Sequence, residues 1–120
     1  MTRDEWKNEI TESTRKVGTY RPEFGPVIDT LAGVLEKRDK TEEQFIKSGG
    51  NAVVTHTNKG GAANLVKNPL LVVIGELNSQ ALAYWRDLGL TPSGLKKINE
   101  KALEKRKGNA LAEALRELGG

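Results

Sequence analysis

The sequence contains no cysteine and only one histidine, His56. The absence of cysteine excludes disulfides, thiolate metal sites and a cysteine nucleophile, and a single histidine excludes zinc sites built on a histidine pair. No apolar run approaches the ~18 residues of a membrane span. The chain begins with polar and acidic residues, unlike a secretory signal. We therefore expect a cytoplasmic protein that has no membrane partner and binds no metal.

Aromatic and apolar residues are also scarce. Six of the 120 residues are aromatic, and 37% are hydrophobic, toward the low end for a globular domain. This composition does not favour a compact monomer with a thick core. A thin, mainly helical fold that neighbouring subunits complete agrees better with it, so we expect a homo-oligomer.

The positive charge is concentrated in one segment. The formal net charge is +3, from 19 basic and 16 acidic residues, yet residues 95–107 hold six basic and two acidic residues, a balance of +4. The six are Lys96, Lys97, Lys101, Lys105, Arg106 and Lys107. Such a segment can neutralise nucleic-acid phosphates. The alternative is a solvated helix face that only keeps the surface soluble.

Two helices are predicted in the first half of the chain. Thr2 and Glu5 have the spacing of a capping box, which starts a helix that runs to about Val17. Its apolar positions are sparse, so we expect it to dock on another surface. Apolar residues at three- and four-residue steps predict a second helix from Pro26 to about Lys47. Its charged middle, 36–43, is expected to meet solvent or polar partners.

Residues 52–66 predict a β-hairpin. A β-branched arm over 52–57 is followed by a turn at Asn58–Gly61 and a return arm over 62–66. A phosphate-binding loop at this turn is excluded, because no Ser or Thr follows a Gly-Lys pair. His56 has no acid, serine or cysteine at triad spacing, so we interpret it as a residue on a face of the hairpin.

The strongest amphipathic segment runs from Asn68 to about Leu88, with Asn68 as the N-cap and Pro69 at the first helical position. We expect its apolar stripe to form the oligomer interface. The residues assigned to that interface are Leu70, Val73, Ile74, Leu77, Tyr84 and Trp85. Gly89 ends this helix, and Thr91 caps the next one.

The corner at 84–100 resembles a helix-turn-helix, whose second helix enters a DNA groove. Trp85 stands where such motifs usually have a small residue, so an ordinary helical corner remains an equal alternative. A break at Gly108–Asn109 predicts a last short helix over 109–118, either a frayed tail or a docking helix. No catalytic residue set or dinucleotide fingerprint is present, so we expect no enzyme activity and no cofactor.

Three stretches together resemble the short class of phage terminase small subunits. They are 38–50 with its acidic helix end, Val53 to Gly61, and Lys67-Asn68-Pro69-Leu70 running into Leu88-Gly89-Leu90-Thr91-Pro92-Ser93. The resemblance covers about 20–106 and leaves the first 18 residues and the last helix outside. It departs from the family pattern at Gly94, Lys96 and Lys97, where members often carry Ser and Arg.

The resemblance implies a non-catalytic subunit that assembles as a ring, binds viral double-stranded DNA and presents it to the large terminase subunit in the host cytoplasm. The expected DNA-binding residues are the six basic residues of 95–107, with Lys59 on the hairpin as a lesser one. Two other classes remain open. One is a structural protein that oligomerises through the helix at 68–88 without DNA, and the other is a small helix-turn-helix repressor.

Overall fold

The computed structural model describes residues 1–119, which are mainly helical with one two-stranded antiparallel hairpin, as predicted. The helices are α1 (Arg3–Val17), α2 (Gly25–Lys47), α3 (Pro69–Asp87) and α4 (Pro92–Gly119), with a 3-10 turn at Pro22–Phe24, and the strands are β1 (Val53–Thr57) and β2 (Ala63–Lys67). Within this described part of the chain, none of the helices combines the length and the apolar character that a membrane crossing needs.

The core lies where α2 packs between α1 and α3. Its buried members are Ile10, Ile28, Leu31, Ala32, Leu35, Ala81 and Leu88. At its margin the rings of Trp6 and Trp85 meet edge to face, with centroids 6.4 Å apart. The first 18 residues were expected to be an appended helix, but α1 supplies the fully buried Ile10 and is part of the core.

Polar contacts explain how α1 docks despite its sparse apolar residues. The Trp6 indole N–H donates a hydrogen bond to Asp39 Oδ2 (2.7 Å). The Arg3 guanidinium donates two hydrogen bonds to Asp29 (2.8 and 3.1 Å), and the Arg3 main-chain N–H donates to Glu36 (2.8 Å). The polar partner expected for the charged middle of α2 is therefore the first helix of the same chain.

Asn68 joins the hairpin to α3. Its side-chain oxygen accepts the Leu70 N–H (3.0 Å), as the predicted N-cap requires, while its amide nitrogen donates to the Asn51 carbonyl (2.9 Å). Its own main-chain N–H donates to the Ala52 carbonyl (2.8 Å). All of its polar groups are thus used at a buried position. This residue fixes the base of the hairpin on the first turn of α3.

The hairpin beyond that base makes little contact with the helices. Val54 lies opposite Val66, and this half-buried pair faces inward, whereas Leu65 is 78% exposed. The Asn58 side chain accepts the N–H groups of Gly60 and Ala62 and closes the turn. The predicted strands and turn are confirmed, with each strand within one residue of the expected arm.

The predicted break at Gly108–Asn109 is wrong. Both residues lie inside α4, so the separate helix expected over 109–118 is the last part of one continuous helix. One glycine in a helix interior costs only about 1 kcal/mol relative to alanine, and the surrounding Lys, Glu, Ala, Leu and Arg residues are strong helix formers. That cost is too small to end the helix where nothing else stabilises a turn.

Only the first two turns of α4 contain residues that are buried or half-buried. Gly94 is buried, Leu95 and Ile98 are half-buried, and every residue over 99–119 is exposed. The described chain is consequently 85 Å long and only 27 by 21 Å across, with a radius of gyration of 22.4 Å. A compact domain of this length would have a radius of about 14 Å.

Candidate nucleic-acid interface

The corner between α3 and α4 is a tight turn built on Gly89. The Gly89 N–H donates to the Arg86 carbonyl (3.0 Å) and the Leu90 N–H to the Trp85 carbonyl (2.8 Å), the hydrogen bonds of a Schellman motif. Gly89 has φ +75°, a left-handed conformation that other residues adopt at a cost. The Thr91 hydroxyl then accepts the Gly94 N–H (3.0 Å) and caps α4. Both predicted helix ends are confirmed.

A residue distant in sequence locks this turn in place. The buried Thr19 hydroxyl, from the link between α1 and α2, donates a 2.6 Å hydrogen bond to the Leu88 carbonyl. The turn also packs tightly, because a Cβ on Gly89 would lie 2.7 Å from Thr19 Cγ2 and 3.0 Å from Ile98 Cδ1. The corner is therefore held by the first link, by α3 and by α4 together.

The crossing of the two helices occurs at Gly94. A Cβ on this residue would lie 2.2 Å from the Arg86 carbonyl oxygen and 2.9 Å from Thr91 Oγ1. The small residue that such a crossing needs is thus on the second helix. The expectation that it should stand at Trp85 does not apply to this corner, because the Trp85 ring packs on the core beside Trp6.

The basic residues predicted to bind DNA are all exposed, but they do not share one face. At 100° per residue, Lys97, Lys101 and Lys105 follow one another along the side of α4 that contains Gly94. Lys96 and Lys107 lie on a different side, and Arg106 on a third. Six basic residues in sequence therefore become one stripe of three and three others that point elsewhere.

Lys59 is separated from the other predicted DNA-binding residues. It lies in the hairpin turn, and the hairpin is fixed to the first turn of α3, whereas α4 begins beyond the last turn. The 19 residues of α3 span about 28 Å. The structure consequently does not bring Lys59 into the group on α4.

A shallow cleft, the corner cleft, opens between the end of α3 and the first turns of α4. Its lining residues are Arg86, Asp87, Gly94, Lys97, Ile98 and Lys101. A second hollow shares Asp87 and Ile98 with this cleft and is also lined by Arg21. Arg86 and Arg21 are not among the residues predicted from the sequence, although Arg86 directly precedes the corner, because they lie outside the basic segment 95–107.

The cations of the corner cleft are not paired with acids of the chain. Among residues 1–119, Arg86, Lys97 and Lys101 have no carboxylate within salt-bridge distance. Lys96, on another side of α4, lies 3.9 Å from a Glu100 carboxylate oxygen. The cleft thus contains three uncompensated cations and one acid, Asp87.

The acids with shifted pKa values lie in the helical body, mainly where α1 docks on α2. Hydrogen bonds from Arg3 hold the pKa of Asp29 below its usual value. Burial raises the pKa of Asp39, but hydrogen bonds from Trp6, the terminal ammonium and Arg38 outweigh this effect and lower it. Over residues 1–119 no three histidine or carboxylate side chains are grouped as metal ligands. Asp29 and Asp39 thus contribute contacts through which α1 docks on α2.

The stripe predicted as the oligomer interface packs within the chain. Ile74 is buried, Tyr84 and Trp85 pack on the core, and Leu70 and Leu77 are half-buried, so α2 already covers much of this face. Val73 alone of the six is exposed. Other exposed large apolar residues of α3 and α4 are Val72, Leu82, Leu103, Leu111, Leu115 and Leu118.

Comparison with known families matches the chain to one of them. The family model for the phage terminase small subunit matches residues 2–105. The chain belongs to the phage terminase small-subunit family. Membership gives it a role in phage DNA packaging, in a family of generally non-catalytic recognition subunits. Searches of curated proteins and of solved structures gave no match.

The terminase match corrects the limits drawn from short motifs. It begins at residue 2 rather than near residue 20, so α1 belongs to the family region. This agrees with the place of Ile10 in the core. The match ends at Lys105 and includes the corner cleft, whereas Arg106, Lys107 and the leucine-bearing end of α4 lie beyond it.

Proposed function

We propose that this terminase small subunit binds viral double-stranded DNA as a ring-forming homo-oligomer and presents it to the large terminase subunit for genome packaging. The observation that carries the proposal is the match over 2–105 together with a basic segment on a helix that leaves the core. The proposed DNA-binding residues are Lys96, Lys97, Lys101, Lys105, Arg106 and Lys107, with Lys59 as a lesser contact. No catalytic step is assigned to the chain.

Electrostatics supports binding to the DNA backbone. The segment 95–107 has a charge balance of +4 and lies on a helix that is exposed from residue 99 onward. Each phosphate that a lysine or arginine neutralises releases condensed counterions, so affinity falls steeply as salt rises. In an oligomer the same segment is repeated in every subunit, which multiplies the effect on one DNA molecule.

The shape of the chain supports assembly. Residues 99–119 form about six helical turns in which every residue is exposed, whereas most helices in proteins owe their stability to the packing of an apolar face. Leu111 and Leu115 are about 60% exposed on this stretch. Contacts with neighbouring subunits would cover them and stabilise the helix.

These leucines also favour the second candidate, an interaction protein that oligomerises without binding DNA. That candidate predicts an oligomer whose mass is unchanged when duplex DNA is added. The third candidate, a small helix-turn-helix repressor, predicts one or two chains in solution and binding to a single operator sequence. The mass in solution and the DNA-binding behaviour together distinguish these three candidate functions.

The test of DNA binding is a salt series with a charge-reversal variant. We expect Lys96→Glu/Lys97→Glu/Lys101→Glu to lose most of its affinity for duplex DNA at low salt. The matched control is Lys7→Glu/Lys16→Glu/Lys37→Glu, which changes the net charge equally on exposed positions of α1 and α2. Equal affinities of the α4 variant and the wild type would remove this segment from the binding site.

A further inference from the structure

We propose that the corner cleft is the main contact of this protein with the phosphate backbone of DNA, with Arg86 as its anchor and Lys97 and Lys101 as its other cations. The inference rests on the proposed function and names the residues that perform it. It adds Arg86 to the binding residues and ranks the lysines of α4 by the side of the helix on which they lie.

The geometry of the corner brings these three residues together. Gly94 seats α4 directly on the Arg86 carbonyl, so the first turns of α4 lie beside the end of α3. Lys97 and Lys101 follow on that same side of the helix, and both line the cleft with Arg86. Because capping hydrogen bonds hold the backbone on each side of the turn, the positions from which the three side chains extend are fixed relative to one another.

The charge of the cleft selects an anion. The cleft is lined by three cations, Arg86, Lys97 and Lys101, and by one acid, Asp87, so its net charge is +2. No described carboxylate neutralises the three cations at short range. A guanidinium offers a planar fork that matches two phosphate oxygens, whereas an ammonium acts as a point charge. Arg86 is therefore the residue suited to hold a phosphate in one orientation.

The stripe along α4 continues the cleft and favours a linear polyanion. Lys105 follows Lys101 by four residues, about 6 Å along the helix axis, and it is also exposed. A row of cations at such steps fits a chain of phosphates better than a single small anion. The neighbouring hollow, which shares Asp87 and Ile98 with the cleft, contains one further cation, Arg21.

The opposite side of the same turns of α4 is less suited to DNA. Its shallow hollow is lined by Pro92, Leu95, Lys96, Asn99, Glu100 and Leu103. Here the one lysine has an acid as a neighbour, and leucines form much of the surface. A phosphate bound on this side would lie beside apolar groups and a carboxylate. We therefore expect Lys96 to contribute less to DNA binding.

The experiment measures binding of a labelled DNA duplex over a salt series for five proteins. They are wild type, Arg86→Gln, Lys97→Gln/Lys101→Gln, Lys96→Gln/Lys107→Gln and the control Lys16→Gln/Lys37→Gln. For each phosphate contact removed we expect an affinity loss of roughly 5- to 10-fold near 0.1 M salt. The slope of log affinity against log salt concentration should also become smaller in magnitude by about 0.9. Arg86→Gln and Lys97→Gln/Lys101→Gln should show this loss, Lys96→Gln/Lys107→Gln a clearly smaller one, and the control none.

A gain of binding provides the complementary test. Asp87→Asn removes the one acid of the cleft, so we expect its affinity for the duplex to rise several-fold. Far-UV circular dichroism and native mass identify any variant that fails to fold or assemble. If Arg86→Gln fails in this way, Arg86→Lys replaces it, and we expect its loss of DNA affinity to be smaller than that given for Arg86→Gln.

Different results would overturn the proposed function and the role of the corner cleft. A wild-type protein that binds no duplex at low salt would overturn the proposed function. A wild type that binds, with Arg86→Gln and Asp87→Asn both at wild-type affinity, would overturn the corner cleft alone. If Lys97→Gln/Lys101→Gln and Lys96→Gln/Lys107→Gln lost the same amount of DNA affinity, the proposed difference between the two sides of α4 would be wrong.

Discussion

Gly94 of α4 lies directly against the Arg86 carbonyl oxygen at the end of α3. A Cβ on Gly94 would stand 2.2 Å from that oxygen, well inside van der Waals contact. Only a hydrogen fits there, so this one glycine sets how closely the two helices cross. The corner cleft, which has Arg86 on one side and Lys97 on the other, depends on that crossing.

The first prediction concerns this glycine. Gly94→Ala should lower the free energy of unfolding by about 1–3 kcal/mol, because the added methyl group forces α4 away from α3. It should also weaken DNA binding as the cations separate. Urea denaturation followed by circular dichroism measures the first effect. Gly75→Ala is the control, since Gly75 has open space around it in α3. A Gly94→Ala protein as stable as the wild type would contradict the crossing.

The second prediction tests the continuity of α4. Gly108→Ala should stabilise the helix by about 0.5–1 kcal/mol and raise the helical signal, because Gly108 lies in a helix interior with nothing within 4 Å of a Cβ. Far-UV circular dichroism against temperature provides the measurement. If the chain instead turned at Gly108 with a left-handed backbone, alanine would reduce the helical signal.

Two glycines show what the sequence could and could not predict. Gly89 and Gly108 both follow a helical pattern and both precede a possible restart, but only Gly89 has a buried partner at Thr19 and an apolar follower, Leu90. A local pattern identifies a possible helix end, and tertiary contacts decide whether the chain turns there. The apolar follower can be read from the sequence, since Asn109 stands after Gly108, but the contact with Thr19 cannot.

The candidate site was predictable to a similar extent. The basic residues of α4 are evident from charge counting, and their division into sides follows from helical periodicity once the helix is known. Arg86 was missed because its place beside Lys97 depends on the close approach at Gly94, a contact between different helices. The docking of α1 likewise depends on distant partners such as Trp6 and Asp39.

A third prediction concerns the hydrogen bond that locks the corner. Thr19→Val keeps the shape of the side chain but leaves the buried Leu88 carbonyl without this donor, so it should cost about 1–3 kcal/mol of unfolding free energy. Thr30→Val makes the same change at an exposed position of α2 and should alter stability by less than about 0.5 kcal/mol. Equal stability of the two variants would argue against the Thr19 lock.

The fourth prediction is a dependence on pH. The pKa values of Asp29 and Asp39 are lowered in the folded chain. Their contribution to stability is therefore complete above the unfolded value of about 3.9 and is lost as pH falls below it. We expect α1 to loosen in that acid range, reported by the fluorescence of Trp6, which contacts both Asp39 and Trp85.

Asp39→Asn is the matched variant for the pH series. It should be less stable than the wild type at pH 7 and should lose less stability between pH 5 and pH 2 (roughly the range over which paired carboxylates become protonated). An identical pH profile for the variant and the wild type would show that Asp39 does not hold α1 in place.

Native mass spectrometry of the purified protein with and without duplex DNA tests most directly whether the protein is an oligomeric DNA-binding subunit. We expect a closed assembly of several 13.1 kDa chains that gains the mass of the duplex when DNA is added. A mass of only one or two chains, unchanged by DNA at low salt, would contradict it.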